Sequence, residues 1–391
     1  MGLLRVLACT VALSVAAGCS TLRVTGIQSD DTWPDSATEF GATNASPAAI
    51  HPPIREAWVY NANAAFGPGP ALVLDDFVIV ANRKGEVHAI DRESGRRLGF
   101  ERVGDAINGS PVLMDGVLFT PLDFGSSRAL SAWNLRTGTT KWTLKNGARV
   151  AASLTTTNDR LVVVDRSSRL RLLNPADGSV VWNVATDTAA TYPLSPVVDS
   201  GGGIIVVSNE GRISRFAAED GRVTWTTKID EPVATQPAVH GDRLLIAGTY
   251  GGIHAVNAHT GAVEWSTGAS AGPLRRTSPA VDDRLVVASG TDGSVLALDA
   301  ATGRELWSVD VGSAVGAAPF LSSSFVFVGT LDSRLVVLER DSGAVVWEAE
   351  LRGRVKSAMV ARGDDLFVLT EPRYVYRFTV DDGEHQISGS M

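Results

Sequence analysis

The sequence predicts an all-β protein: an eight-bladed β-propeller of four-stranded antiparallel blades, its ring closed by an N-terminal strand that completes the last blade. Three observations carry this reading. A glycine is followed four residues later by a tryptophan at Gly138/Trp142, Gly178/Trp182, Gly221/Trp225, Gly261/Trp265, Gly303/Trp307 and Gly343/Trp347, with 40 to 43 residues between successive glycines. Within each interval lie four short apolar runs separated by Gly and Asp turns, with no helical period. The two ends of the chain carry complementary fractions of one such unit.

The unit at 278–309 shows the elements in order. Ser278-Pro279-Ala280-Val281 begins a first strand, and Asp282-Asp283 turns it into a second at 284–289. Thr291-Asp292-Gly293 turns into a third strand at 295–299, and residues 300–303 turn into a fourth at 305–309. One such sheet has too little apolar face to stand alone, so the units must pack side by side. Trp58, in Glu56-Ala57-Trp58-Val59-Tyr60, holds the tryptophan position of a fourth strand that lacks its first three. Gly95 lacks the tryptophan and carries Gly99-Phe100 instead. At the other end, 357–360, 366–370 and 374–380 supply three strands and Asp381-Asp382-Gly383 a turn, after which no tryptophan follows. Joining the two part-units seals the ring and removes the free edges of an open array.

Within the unit, Ala297, Asp299, Thr302, Gly303 and Trp307 meet the pattern Ala-x-Asp-x-x-Thr-Gly-x-x-x-Trp, and Ala255, Asn257, Thr260, Gly261 and Trp265 come close. This resembles the tryptophan-docking motif of the quinoprotein-type (PQQ-like) eight-bladed propellers over residues 55 to 383. The resemblance implies that each tryptophan packs against the glycine peptide of a neighbouring blade. A flat ring needs a surface without a side chain to lie on, and glycine offers one. The six Gly/Trp pairs and Trp58 are therefore expected to be structural.

The N-terminus reads as an address. Arg5 precedes an apolar run over 6–17, too short to cross a bilayer core but suited to a signal peptide. Val15-Ala16-Ala17-Gly18-Cys19-Ser20 resembles the lipobox of bacterial lipoproteins, which implies acylation of Cys19; an ordinary cleaved signal is the alternative. Ser20 resembles the sorting pattern for the outer membrane. The expected organisation is a signal peptide at 1–18, a flexible tether at 19–54 and the propeller at 55–386.

Composition excludes several functions. Of 391 residues 44% are hydrophobic, so the chain is globular, and a net charge of −8 argues against a general nucleic-acid binder. Cys9 and Cys19 are the only cysteines, leaving none in the body for a disulfide, a nucleophile or a thiolate metal site. Gly268-Ala269-Ser270-Ala271-Gly272 matches G-x-S-x-G but leads to no helix, so no nucleophile elbow is expected. The histidines are scattered without zinc-site spacing, and the Asp-rich turns lack calcium-loop spacing. Quinoprotein dehydrogenases have enlarged blades, an adjacent cysteine pair and calcium-holding acids, which this sequence lacks. No catalytic residue, metal or cofactor is expected, and the protein is read as a non-enzyme.

Antiparallel order places the first–second and third–fourth strand turns on one face, which collects acids such as Asp75, Asp76, Asp282 and Asp283. The opposite face carries arginines, among them Arg275, Arg276, Arg334, Arg352 and Arg354, and reads as a docking surface. An anchored propeller of this kind resembles the BamB family of the outer-membrane β-barrel assembly machinery. The resemblance implies a non-catalytic scaffold lipoprotein on the periplasmic face of the outer membrane. It would act as a monomer within a larger complex and bind a membrane-protein assembly component or another envelope protein. A Leu-Arg inter-blade loop makes the contact in that family. Leu274, Arg275 and Arg276, and Leu351 and Arg352, carry similar residues, whereas the loop after Trp182, where the contact would be expected, has no arginine. The alternative reading is a sensor propeller with a small ligand, a quinone or sugar, in its central channel; a quinoprotein enzyme comes third.

Overall fold

The computed structural model describes residues 22–28, 30–33, 43–122, 128–145, 150, 153–186, 194–268 and 273–381. Its described strands form eight antiparallel sheets. Blades 1 to 7 occupy 72–102, 112–145, 155–185, 197–228, 238–266, 280–310 and 320–350, each a meander of four strands A to D. Blade 8 consists of Asp365–Glu371 and Tyr374–Val380, with Arg354–Val355 and Val360–Arg362 sharing the inner position and Ile54–Asn61 as the outermost strand. First strands of neighbouring blades touch one another, so the A strands form the innermost ring.

Burial follows from this packing. Middle strands are covered on both faces by adjacent blades and read as continuous apolar runs, as in Leu285–Ser289, where every residue is buried. Outer D strands are covered on one side, so Val345–Glu350 never becomes fully buried and alternates exposed and half-buried along most of its length.

Six of the tryptophans lie on the glycine of the next blade. A Cβ on Gly95, Gly178, Gly221, Gly261 or Gly343 would come within 2.6–2.8 Å of the ring of Trp58, Trp142, Trp182, Trp225 or Trp307, and Gly303 meets Trp265 in the same way. These glycines share a φ of 69–75°, a left-handed conformation that also favours glycine. Each indole N–H donates to the carbonyl three residues before its glycine, from Trp58 to Arg92 (2.9 Å) through Trp307 to Arg340 (2.8 Å). Trp347 instead meets Phe378 edge-on at 6.5 Å, and its expected partner Gly383 lies outside the described residues.

Ring closure places Ile54–Asn61 against Tyr374–Val380, in register from Ile54↔Val380 to Asn61↔Tyr374 with one bulge. The seam between blades 8 and 1 is then locked by charge. Asp365, 3% exposed, accepts from Arg92 of blade 1 at 2.7 and 3.0 Å and pairs with Arg377 at 2.8 Å, while Arg377 also reaches Glu93 at 2.9 Å. Beside them the Tyr60 hydroxyl lies 2.8 Å from Nδ1 of the fully buried His88, whose Nε2 faces Glu86 at 3.3 Å and whose ring stacks on Phe100.

Burial pulls the His88 pKa below the ordinary imidazole value, against the opposing pull of Glu86. With the folded pKa depressed, the unfolded chain takes up the proton first as pH falls. This contribution to stability is therefore intact above about pH 6.5 and declines below it until the folded pKa is reached. A His88→Phe variant is expected to lose less Tm than the parent between about pH 7 and about pH 5.5. Parallel Tm-versus-pH curves would contradict this role.

The described parts of the stretch at 19–54, expected to be a flexible tether, lie on the ring: Leu22, Val24, Ile27, Trp33 and Ile50 are between 0% and 4% exposed. Trp33 exchanges both backbone hydrogen bonds with Leu113, on the inner edge of blade 2. Asn44 to Ser46 bond in parallel to Leu321, on the inner edge of blade 7. The free edges of two innermost strands thus find partners in Trp33 and in Asn44–Ser46 of the chain's own N-terminal segment. Unpaired inner-strand amides and carbonyls supply the physical reason, a signal that side-chain periodicity does not carry.

Candidate partner-binding face

The B–C and D–A loops come together on one face. In the D–A loop before blade 6, burial alternates residue by residue, exposed at 274, buried at 275 and exposed at 276. This separates the three residues singled out from sequence. Leu274 is 41% exposed, Arg275 is 3% exposed and Arg276 is exposed.

Arg275 belongs to the interior. Its Nε donates to the Gly251 carbonyl at 3.0 Å, its backbone N–H donates to Thr249, and Asp292 and Glu231 act on it electrostatically. Burial draws its pKa below the ordinary guanidinium value, partly offset by those two carboxylates. Glu231, 4% exposed, reaches His254 Nε2 at 2.6 Å and accepts from the Tyr250 backbone N–H at 3.0 Å. His254 Nδ1 meets the Ser266 hydroxyl at 3.0 Å. Serine, histidine and acid here follow the order of a hydrolytic triad, but Ser266 ends a regular outer strand (Val263–Ser266) directly opposite His254 and not a strand-to-helix elbow. The chain of bonds fixes the loops of blades 5 and 6.

The effect is a rigid base under an exposed tip. Leu274 O accepts from Thr291 N–H of the neighbouring loop, and the 52%-exposed Tyr250 stands on the loop that Arg275 holds. An exposed leucine, an aromatic and an arginine on loops joined by buried contacts have the composition of a binding hot spot.

The second loop divides likewise. Leu351, 9% exposed, packs in the core with Phe320, Phe327 and Val355, whereas Arg352 is exposed and its backbone N–H donates to the Tyr376 hydroxyl at 2.5 Å. As contact residues, Arg275 and Leu351 are therefore corrected to buried supports, and Leu274, Arg276 and Arg352 remain on the surface. Several arginines of this face are neutralised nearby: Arg334 by Asp332 and Glu348, and Arg83 by Glu371. The face is accordingly less basic than its sequence suggests. Cys19 and the loop Thr191-Tyr192-Pro193 lie outside the described residues.

At the centre of this face is a depression of about 300 Å³. Its lining includes Ser153, Ser195, Thr235, Arg276 and Lys356, together with Asn44 of the N-terminal segment. Lys356 is paired with Glu371 at 2.8 Å. Among the described residues no group of three or more His, Cys, Asp or Glu side chains is placed to hold a metal ion.

Comparison with known proteins adds sequence and fold relationships. The family model described as outer membrane protein assembly factor BamB matches residues 48–208, 185–318 and 291–386. The protein of that name from Yersinia pestis is 29% identical over 167 residues, 39% of this chain and 42% of that protein. The one from Bordetella pertussis is 26% identical over 307 residues, 74% of this chain and 75% of that protein. The match thus spans under half the length of the Yersinia relative. Among solved structures, BamB from Moraxella catarrhalis superposes with a TM-score of 0.67 at 19% identity, covering 83% of this chain and 99% of that one. Quinohemoprotein alcohol dehydrogenase from Comamonas testosteroni superposes with a TM-score of 0.69 at 14% identity, covering 86% and 78%. At such identities the two structures share the fold and nothing more is inferred from them.

Proposed function

Because the chain belongs to the BamB family of outer membrane protein assembly factors, we propose that it is a non-catalytic scaffold that assists the assembly or insertion of outer-membrane β-barrel proteins. It works through protein–protein contacts, as a monomer within a larger complex, held at the periplasmic face of the outer membrane by acylated Cys19. The observation that carries the reading is the exposed Leu274–Tyr250–Arg276 tip set on the buried Arg275–Glu231–His254 base. A preordered surface of this kind binds without paying to order its own loops. The innermost strand edges paired with Trp33 and with Asn44–Ser46 weigh against a small ligand filling the channel.

The tip and base make opposite predictions. A Leu274→Asp/Arg276→Glu double variant is expected to lower co-purification of a barrel-assembly partner after mild detergent extraction by roughly 30-fold or more, the scale of a hot spot of about 2 kcal/mol or above, with Tm unchanged. Arg275→Ala is expected to lower stability by about 1–3 kcal/mol, because the Gly251 carbonyl loses its buried donor and Glu231 loses a nearby positive charge. Full recovery of partner by the double variant would place the contact elsewhere. Recovery of the parent alone, with no assembly component, would sink the scaffold reading.

A further inference from the structure

Nine tryptophans occur, and seven hold docking positions. The remaining two, Trp33 and Trp133, serve one purpose: they hold the N-terminal segment on blade 2. Blade 1 has Gly99 where a docking tryptophan would stand, so Gly138 receives no ring. The N-terminal segment occupies that slot. A Cβ on Gly138 would meet Arg23 Cβ at 3.2 Å and the Leu22 carbonyl at 3.5 Å. Val24 N–H donates at 2.9 Å to Leu135 O, the carbonyl three residues before the glycine that takes an indole N–H elsewhere. The Trp133 indole donates to Leu22 O at 2.9 Å, and Arg23 Nε donates to Arg136 O at 3.1 Å. From there the segment crosses the A–B face, where Gly116 N–H donates to Asp31 O, and reaches the inner edge of blade 2 at Trp33.

Leu22 is docked, and in sequence Ser20 and Thr21 alone separate it from Cys19. Three residue steps span at most about 11 Å. An acyl anchor on Cys19 would therefore leave no long leash: it would bring the C–D corner of blade 2 to the bilayer surface.

Charge along that hairpin points the same way. Residues 128–145, the C–D hairpin of blade 2, contain Arg136 in the turn, Lys141 on the outer strand and Lys145 at that strand's far end, and no Asp or Glu, in a chain of net charge −8. The corresponding hairpins of blades 1 and 3 to 7 all carry carboxylates, among them Asp91 and Glu93, Asp177, Asp220, Glu264, Asp299 and Asp341, and the outermost strand of blade 8 carries Glu56. Arg23, Arg136, Lys141 and Lys145 are all exposed.

We propose that this hairpin, with Arg23, is a membrane-apposed surface that rests on anionic phospholipid headgroups and stands the disc on its blade 2 corner. The proposal rests on the reading of Cys19 as lipidated. Basic side chains near an anionic leaflet each strengthen attraction severalfold, and a short anchor holds them within the range of that field.

The body's lack of cysteine makes the test direct. Full-length, membrane-processed protein carrying Thr137→Cys (blade 2 corner) or Thr302→Cys (blade 6 corner) is labelled with a fluorophore and reconstituted into vesicles of phosphatidylethanolamine and phosphatidylglycerol with a headgroup-linked quencher. The Thr137 label is expected to be quenched at least about fivefold more than the Thr302 label. Arg136→Glu/Lys141→Glu is expected to reduce that ratio without changing Tm, each charge accounting for roughly a fivefold change in surface affinity. Protein that floats with the vesicles but shows equal quenching at both corners overturns the orientation alone. Protein that fails to float overturns the lipid anchor and the orientation together.

Discussion

Trp307→Ala is expected to lower the free energy of unfolding by about 3–5 kcal/mol, the range for truncating a buried tryptophan. Trp307 is 8% exposed, its ring covers the Gly343 peptide, and its indole N–H bonds the Arg340 carbonyl at 2.8 Å. Truncation leaves a cavity between blades 6 and 7 and an unpaired carbonyl, and blade 7 cannot move in to fill it without leaving blade 8. Denaturant titration should show a lower midpoint with the slope m retained, because the surface exposed on unfolding is unchanged. A loss under about 1 kcal/mol would mean that the ring–glycine contacts are not what joins the blades.

Asp365→Asn is expected to have an effect of similar size, about 3–5 kcal/mol, by a different route. The carboxylate is 3% exposed and is shared between Arg92 of blade 1 and Arg377 of blade 8. The amide keeps the shape but removes the buried negative charge between two poorly hydrated guanidinium groups, which then repel each other across the seam. Burial works against the charge of Arg377, and Asp365 and Glu93 restore it, so that its pKa ends above the ordinary guanidinium value. Losing Asp365 therefore leaves Arg377 mainly with Glu93, whose side chain is 87% exposed and screened by solvent. Adding Arg377→Gln to Asp365→Asn should recover part of the loss, since the second change removes the stranded charge. If the double variant were less stable by the sum of the two single effects, the residues would not be acting as a network.

The ring was legible because it is built from repetition. Glycine and tryptophan at fixed offset, such as Gly303 and Trp307, report a contact that recurs at six blade junctions, and the unmatched Trp58 and 357–380 report the closure. The face was less legible, since neighbours in sequence part ways in space. Leu274 and Arg276 are exposed while Arg275 is buried, an alternation that composition alone does not reveal. Nor do single residues announce that Glu231 and His254, from different strands, will meet beneath a loop. The packing of the N-terminal segment is not legible in sequence because the segment has no period. Its docking depends on a vacancy in blade 1, where Gly99 replaces tryptophan, and on strand edges that only the closed ring exposes. Trp33 and Trp133, the two tryptophans outside the repeat, were the available signal.

Closure by the N-terminal strand is most directly tested by a cross-strand disulfide. Arg55 and Thr379 are paired across the seam, and paired residues of antiparallel strands sit about 4.5–5.5 Å apart at Cα, within the range a disulfide spans. Arg55→Cys/Thr379→Cys, placed in a Cys19→Ala chain that otherwise has no cysteine in its body, should oxidise almost completely to a monomer whose linked peptides are identified by mass spectrometry. Free thiols, or disulfides found only between molecules, would show that the first and last strands do not share a blade.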